Sequence, residues 1–135
     1  MATKTDKRYI EGIGRRKTSV ARVRITPAAK SSVLVNEKAV TDYFDTVDLV
    51  KITEEALEVS GVKEKFEITV KVLGGGIKSQ AESFRLGLSR ALIVFDAEFR
   101  KDLKKAGFLK RDPRIKERKK PGLRKARKRA AWSKR

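Results

Sequence analysis

The positive charge of this chain is concentrated at its C-terminal end. The first 99 residues carry 17 Lys and Arg against 14 Asp and Glu, a net charge of +3, whereas the last 36 carry 18 against 3, a net charge of +15. Self-repulsion at the total of +18 costs stability that only opposite charge can offset. We therefore expect a nearly neutral N-terminal portion that folds by itself, and a cationic C-terminal portion that needs a polyanion such as nucleic acid or an anionic membrane.

Cysteine and histidine are absent from the 135 residues. Their absence excludes thiolate and imidazole metal sites, a Cys nucleophile, a histidine general base and a disulfide framework. The longest apolar run, Ala91–Phe95, is far shorter than the roughly 20 residues of a membrane span. The N-terminus also lacks an apolar signal segment. Most enzyme chemistries are thereby excluded and no export is predicted, which is compatible with a cytoplasmic protein that has no cofactor and no catalytic activity.

Residues 1–107 show the periodicities of one small α/β domain. Alternation predicts strands at Thr18–Ile25 and Phe66–Val72, with a third strand end at Val33–Val35. Helical spacing predicts helices at 39–44, 48–59 and 100–106, and a long core-facing helix that begins with the capping-box pair Ser79 and Glu82. We expect three or four strands and at least two substantial helices, with the helices packed on one sheet face.

Residues 108–135 are predicted to form an extended basic tail. Pro113, Pro121 and Gly122 interrupt any helix, and large apolar residues are few, so the tail cannot bury enough surface to offset its ordering entropy. We expect it to be disordered when it is not bound to RNA. Fully extended, the part from Arg114 onward would span about 70 Å. Trp132, among cations and without a core to enter, is suited to stacking on a base.

Two glycine-containing motifs are candidates for phosphate contact. Gly12 and Gly14 precede three consecutive cations, but a dinucleotide fingerprint would need a third glycine where Lys17 stands. The less favoured alternative is that these glycines permit a bulge or a close backbone approach beside solvated cations. Gly74–Gly76, followed by Lys78, could present backbone N–H groups and a helix N-terminus to a phosphate. The alternative is a turn that needs positive φ, which accounts for one or two glycines.

Other patterns favour simpler interpretations. The carboxylates at Glu54, Glu55 and Glu58 have helical spacing, which indicates a solvated helix face and not a metal or acid/base site. The aromatic stripe of the long helix indicates core. The basic tail lacks the apolar face of an amphipathic membrane helix, so nucleic acid is favoured over lipid. Charge alone leaves RNA and duplex DNA open, because attraction to phosphate is not sequence-specific.

Three long motifs carry a resemblance to a known family. The segments YIEGIGRRKTSVARVRI, VLGGGIKSQAESFRLGLSRAL and DLKKAGFLKRDPRIKERKKPGLRKARKR, with the terminal SKR, resemble the bacterial small-subunit ribosomal protein nine family from about Arg8 to Arg135. The resemblance implies a two-layer fold like the second domain of ribosomal protein five, in the order β-β-β-α-β-α with a left-handed crossover and a long basic C-terminal tail. Many members have a Pro-Gln-aromatic stretch where this chain has Ala130, Ala131 and Trp132.

The resemblance also implies partners and site residues. The domain would bind the 3′ major domain of small-subunit ribosomal RNA in the subunit head, beside neighbouring ribosomal proteins, with no membrane and no small-molecule substrate. Ser133, Lys134 and Arg135 would approach the anticodon stem of the peptidyl-site transfer RNA. The residues implied to bind ribosomal RNA are Arg15, Arg16, Lys17, Gly74, Gly75, Gly76, Lys78, Gln80, Lys110, Arg111, Arg114, Arg118, Lys119, Lys120, Arg124, Lys125, Arg127, Lys128 and Arg129.

The predicted function is that of a structural constituent of the small ribosomal subunit. Two alternatives belong to other classes. A nucleoid-type DNA-binding protein would share the charge and would bind duplex DNA as well as ribosomal RNA. A phosphotransferase could use the loop Gly74–Gly76, but the sequence contains no motif for a metal-bound nucleotide.

Overall fold

The computed structural model describes residues 9–132. The described residues form five strands and four α-helices, and a 3₁₀ turn at Ala97–Phe99 precedes the last helix. In chain order the elements are β1 (Ile10–Arg16), β2 (Ser19–Pro27), β3 (Ser32–Val35), β4 (Lys38–Ala39), α1 (Val40–Tyr43), α2 (Val47–Ser60), β5 (Phe66–Leu73), α3 (Ile77–Phe95) and α4 (Arg100–Ala106). The predicted mixed α/β class is confirmed.

The strands form one sheet in the order β1-β2-β5-β3-β4. β3 and β5 are parallel, and the other neighbouring strands are antiparallel. The count of three or four strands was therefore too low. The sequence analysis missed two strands, β1 and the two-residue β4. The β1 segment IEGIGRR has two glycines in place of the β-branched or aromatic residues that favour strands.

The core lies between the sheet and the helices that cover one of its faces. Every second residue of β2 and β5 is buried, and the strand from Phe66 has the burial alternation that its sequence predicts. On α3 the apolar stripe includes Phe84, Leu88 and Leu92, each at most 1% exposed. The stripe is therefore core, as predicted, and is not available for base stacking.

Helices α2 and α4 end within one residue of their predicted ends at 59 and 106. Gly61 and Gly107 end α2 and α4 in the left-handed conformation, with φ of 62° and 81°. The long helix begins at Ile77, two residues before the predicted start at Ser79. The Ser79 hydroxyl instead bonds to the backbone N–H and C=O of Gly76, at 3.0 and 2.8 Å. Glu82 therefore has no capping role and is available to another partner.

Gly12 and Gly14 bring β1 into backbone contact with α3. A Cβ atom built on Gly14 would lie 1.8 Å from the Ser83 carbonyl oxygen, and one on Gly12 would lie 2.1 Å from the Gly87 oxygen. The expected close backbone approach is confirmed, and its partner is a helix of the same domain. These glycines therefore serve packing, and the cations that follow them must be considered separately.

Beyond α4 the described part of the chain has no further helix or strand. Phe108 and Leu109 still pack against the core, two residues past the predicted domain end. From Lys110 to Trp132 nearly every residue is exposed. Within residues 9–132, no helix has the length and apolarity that crossing a membrane requires.

Candidate nucleic-acid interface

The two glycine-containing motifs of the sequence meet at one end of the sheet. A Cβ atom on Gly74 would lie 2.7 Å from the Thr18 carbonyl oxygen, and one on Gly75 would lie 3.1 Å from the Ser19 nitrogen. The β1–β2 turn and the β5–α3 turn therefore pack backbone against backbone, although more than 50 residues separate them in the chain. Because this contact leaves no room for side chains, it accounts for glycine at positions 74 and 75.

The glycine turn, residues 74–76, presents an open edge to solvent. Gly74 and Gly75 have φ of 75° and 67°, in the left-handed region that favours glycine. Gly76 has an ordinary φ of −90° and open space where a Cβ would be, so the fold itself does not require glycine there. As the N-cap of α3, Gly76 also offers no side-chain acceptor to the first-turn N–H groups. These N–H groups have the orientation in which helix N-termini bind anions.

A hydrogen-bond network supports the glycine turn from inside. Gln80 Nε2 donates to the Gly74 carbonyl at 3.0 Å, and the Tyr43 hydroxyl donates to Gln80 Oε1 at 2.6 Å. Asn36 joins the network through Tyr43 Oη and through both backbone groups of Val72. Gln80 was assigned to RNA contact, but here both ends of its amide hold the turn. Asn36 and Tyr43 were missed, because Asn36 directly follows the predicted strand end at Val35 and is a residue type that favours turns.

The side chain of Arg16 differs from those of its two cationic neighbours in its contacts and its burial. Its Nε bonds to Glu82 Oε2 at 2.7 Å, and its guanidinium also reaches the Asp112 carboxylate at 3.5 Å and the Arg114 carbonyl. The Arg16 side chain is only 12% exposed. It therefore connects β1, α3 and the start of the tail, whereas Arg15 and Lys17 are exposed.

The start of the tail is held close to the domain. The Arg114 guanidinium bonds to both carboxylate oxygens of Asp112, at 3.0 and 2.7 Å, and holds the pKa of that carboxyl group well below its usual range. Arg85 lies over the Phe108 ring, 4.7 Å from its centre, and bonds to Glu55 at 2.6 Å. We call the contacts of Arg16 and Arg114 with Asp112 and Glu82 the tail clamp. It fixes the place where the tail leaves the domain.

The clamp brings tail cations beside the β1–β2 turn. Lys17 and Thr18 line one groove together with Arg111, Ile115 and Lys116. Lys78 is exposed at the first turn of α3 next to the same end of the sheet. Exposed cations from three separate segments therefore surround one end of the domain.

The remaining tail cations named by the sequence analysis are exposed from Lys110 to Arg129. Glu117 pairs with Lys120 at 2.7 Å and with Arg127 at 2.8 Å, both exposed contacts of small energetic value. Trp132 is 83% exposed. The predicted transfer-RNA residues Ser133, Lys134 and Arg135 lie outside the described residues.

This arrangement is suited to binding phosphate and shows none of the groupings of a metal site. In residues 9–132 there is no cluster of three metal-ligating side chains. Glu54 and Glu58 are exposed on α2, as the solvated-face interpretation predicted, whereas Glu55 is part-buried and pairs with Arg85. The interface instead offers exposed cationic side chains, backbone N–H donors and a Cβ-free edge, which are suited to positioning a nucleic-acid backbone without reading its sequence.

Comparison with known proteins finds similarity over nearly the whole chain. A sequence model of the family described as Ribosomal protein S9/S16 matches residues 14–135. The small ribosomal subunit protein uS9 of Mycoplasma mobile is 51% identical over 124 residues, which cover 92% of this chain and 95% of that protein. The matched range includes both turns at the end of the sheet and the tail.

Proposed function

Because this chain belongs to the ribosomal protein S9/S16 family and is a structural component of the small ribosomal subunit, we propose that the cationic end of its domain and its tail bind the RNA of that subunit. The observation that carries the proposal is the convergence of exposed cations from the β1–β2 turn, the glycine turn and the tail start. Two distant motifs with no shared role in the core meet where a phosphate backbone could contact both.

The proposed mechanism is neutralisation of phosphates in two stages. The folded domain docks first, with Arg15, Lys17 and Lys78 on the backbone and the open edge at Gly76 against a phosphate. The tail then follows the RNA and becomes ordered there, because each cation that meets a phosphate releases a counterion. The tail clamp directs this second stage by fixing where the tail starts.

The resemblance to the family suggests which part of the RNA the protein binds, which proteins are its neighbours and how the sheet is connected. We propose that the RNA is the 3′ major domain in the subunit head, that other ribosomal proteins of the head are neighbours, and that the connection from β3 to β5 is a left-handed crossover. The parallel pairing of β3 with β5 supports the presence of a crossover. No step of this account requires catalysis or a bound small molecule.

A competition assay tests RNA binding against the nucleoid alternative. At about 200 mM salt, where non-specific attraction is weakened, small-subunit ribosomal RNA should displace duplex DNA of equal phosphate content from the protein. Equal competition by the two polymers would favour the nucleoid alternative. Calorimetry with a nucleoside triphosphate addresses the phosphotransferase, for which the proposal predicts no heat of binding.

The terminal residues give a separate prediction about transfer RNA. Deleting Ser133–Arg135 removes two cations and should weaken peptidyl-site transfer-RNA binding up to about tenfold, while subunit assembly continues. Filter binding on purified mutant subunits measures the affinity. A second variant, in which Lys134 and Arg135 are both replaced by glutamine, keeps the chain length and serves as a control for charge. Unchanged affinity in both variants would contradict the assignment.

A further inference from the structure

The sheet has one face that no helix covers. Alternate residues of β1, β2, β5 and β3 point away from the core on this side, and we call their surface the open sheet face. Exposed side chains on it include Ile13, Arg22, Lys71 and Leu34. The proposed RNA-binding end of the domain lies at one margin of this face, since Arg15 belongs to both.

Two cations of the open sheet face lie close enough together to repel each other. In the strand register Arg22 is directly opposite Lys71, and Ile13 flanks Arg22 on the other side. Directly opposed residues of antiparallel strands have Cβ atoms roughly 5 Å apart, and like charges there are destabilising. Arg24 is two residues further along the same strand, with its guanidinium 4.3 Å from the centre of the Tyr9 ring.

The carboxylates of the face neutralise only part of this charge. Glu11 bonds to Arg22 at 2.8 Å. Lys71 and Arg15 form no ion pair with any residue in the described range 9–132. Four cations therefore share the face with two carboxylates, Glu11 and Glu67.

Two of the helices, α1 and α2, have the opposite charge. Residues 40–60, which form α1, α2 and the link between them, contain six Asp and Glu and one Lys, a net charge of −5 in a chain of +18. Phosphate would be repelled from these two helices. The open sheet face and the surface of α1 and α2 therefore differ in the sign of their charge.

We propose that the open sheet face is a second phosphate-contact surface, on which Arg22, Lys71 and Arg24 bind the backbone of the same ribosomal RNA; this rests on the proposed function. An RNA phosphate between Arg22 and Lys71 would convert their repulsion into attraction. Exposed apolar residues do not favour a protein partner here, because Ile13, Leu34 and Leu73 stand on three different strands and are interrupted by polar side chains. When the domain is bound in this orientation, α2 lies on the side that faces away from the RNA.

The test is the double substitution Arg22→Gln with Lys71→Gln in the full chain. Both side chains are exposed, so thermal melting should show a native fold. Affinity for naked small-subunit ribosomal RNA should fall roughly tenfold, and the slope of log K against log salt should decrease by about 1 to 2. The matched control, Lys51→Gln with Lys63→Gln, removes the same charge from α2 and from the loop that follows it, and should change affinity less than about twofold.

The outcomes separate this inference from the proposed function. If the double variant binds RNA with the affinity and salt slope of the control, the open sheet face is not an RNA surface. Normal binding to naked RNA combined with failed incorporation into subunits would assign the face to a protein and would also overturn the proposal. If the unmodified chain prefers ribosomal RNA no more than duplex DNA, the proposed function itself fails.

Discussion

Ending the chain after Arg118 is expected to lower its affinity for naked small-subunit ribosomal RNA by a factor on the order of 10³ or more at physiological salt. The truncation removes nine Lys and Arg and no acidic residue. It keeps Asp112 and Arg114, so the tail clamp is retained. The core residues all precede the cut, and the melting temperature should therefore remain close to that of the full chain.

A full-length control separates charge from chain length. Changing the cations between positions 119 and 129 to glutamine removes seven positive charges and should reproduce most of the loss. The salt dependence should flatten in parallel, by up to about 6 in the slope of log K against log salt if all seven contact phosphate. A truncated chain that binds within about threefold of the full chain would show that the tail contributes little to RNA affinity.

Replacing Gly14 by alanine is expected to destabilise the domain by about 3 kcal/mol or more. The added Cβ would lie 1.8 Å from the Ser83 carbonyl oxygen and 2.5 Å from the Gly87 nitrogen, so α3 would have to move away from β1. Because small domains have only about 5–15 kcal/mol of stability, the loss is a large fraction of the total. The melting temperature should fall by roughly 10 °C or more.

Gly76→Ala provides the matched control for an added methyl group. Gly76 has an ordinary φ and no atom within 4 Å of a built Cβ, so its replacement should change stability by less than about 1 kcal/mol. Denaturant titration of the two variants compares them directly. Equal stability losses would mean that the β1–α3 contact does not require glycine.

Periodic segments were predicted well because their pattern and their packing agree. The strand from Phe66 and the helix around Phe84 each present one apolar face, and the sheet and helix layers bury those faces as the pattern indicates. The helix stops at Gly61 and Gly107 follow from local chemistry, since a left-handed residue ends each helix. Such features depend on residues a few positions apart.

What was missed depends on residues far apart in the chain. Gly12 and Gly14 lower the strand propensity of β1. Their role in packing can be recognised only once the fold places α3 against them. Arg16 has the same sequence context as Arg15, and only the fold brings Glu82 and Asp112 to it. Likewise, the support of the glycine turn by Gln80 requires Tyr43 from another element.

Hydroxyl-radical footprinting on naked small-subunit ribosomal RNA tests most directly the central claim, that a folded anchor and a separate basic tail both bind this RNA. The full chain should protect two sets of nucleotides, one of which disappears when the chain ends after Arg118 while the other remains. The remaining set should weaken in the Arg22→Gln, Lys71→Gln variant. Protection that is spread evenly over the RNA, or lost completely on truncation, would contradict the account.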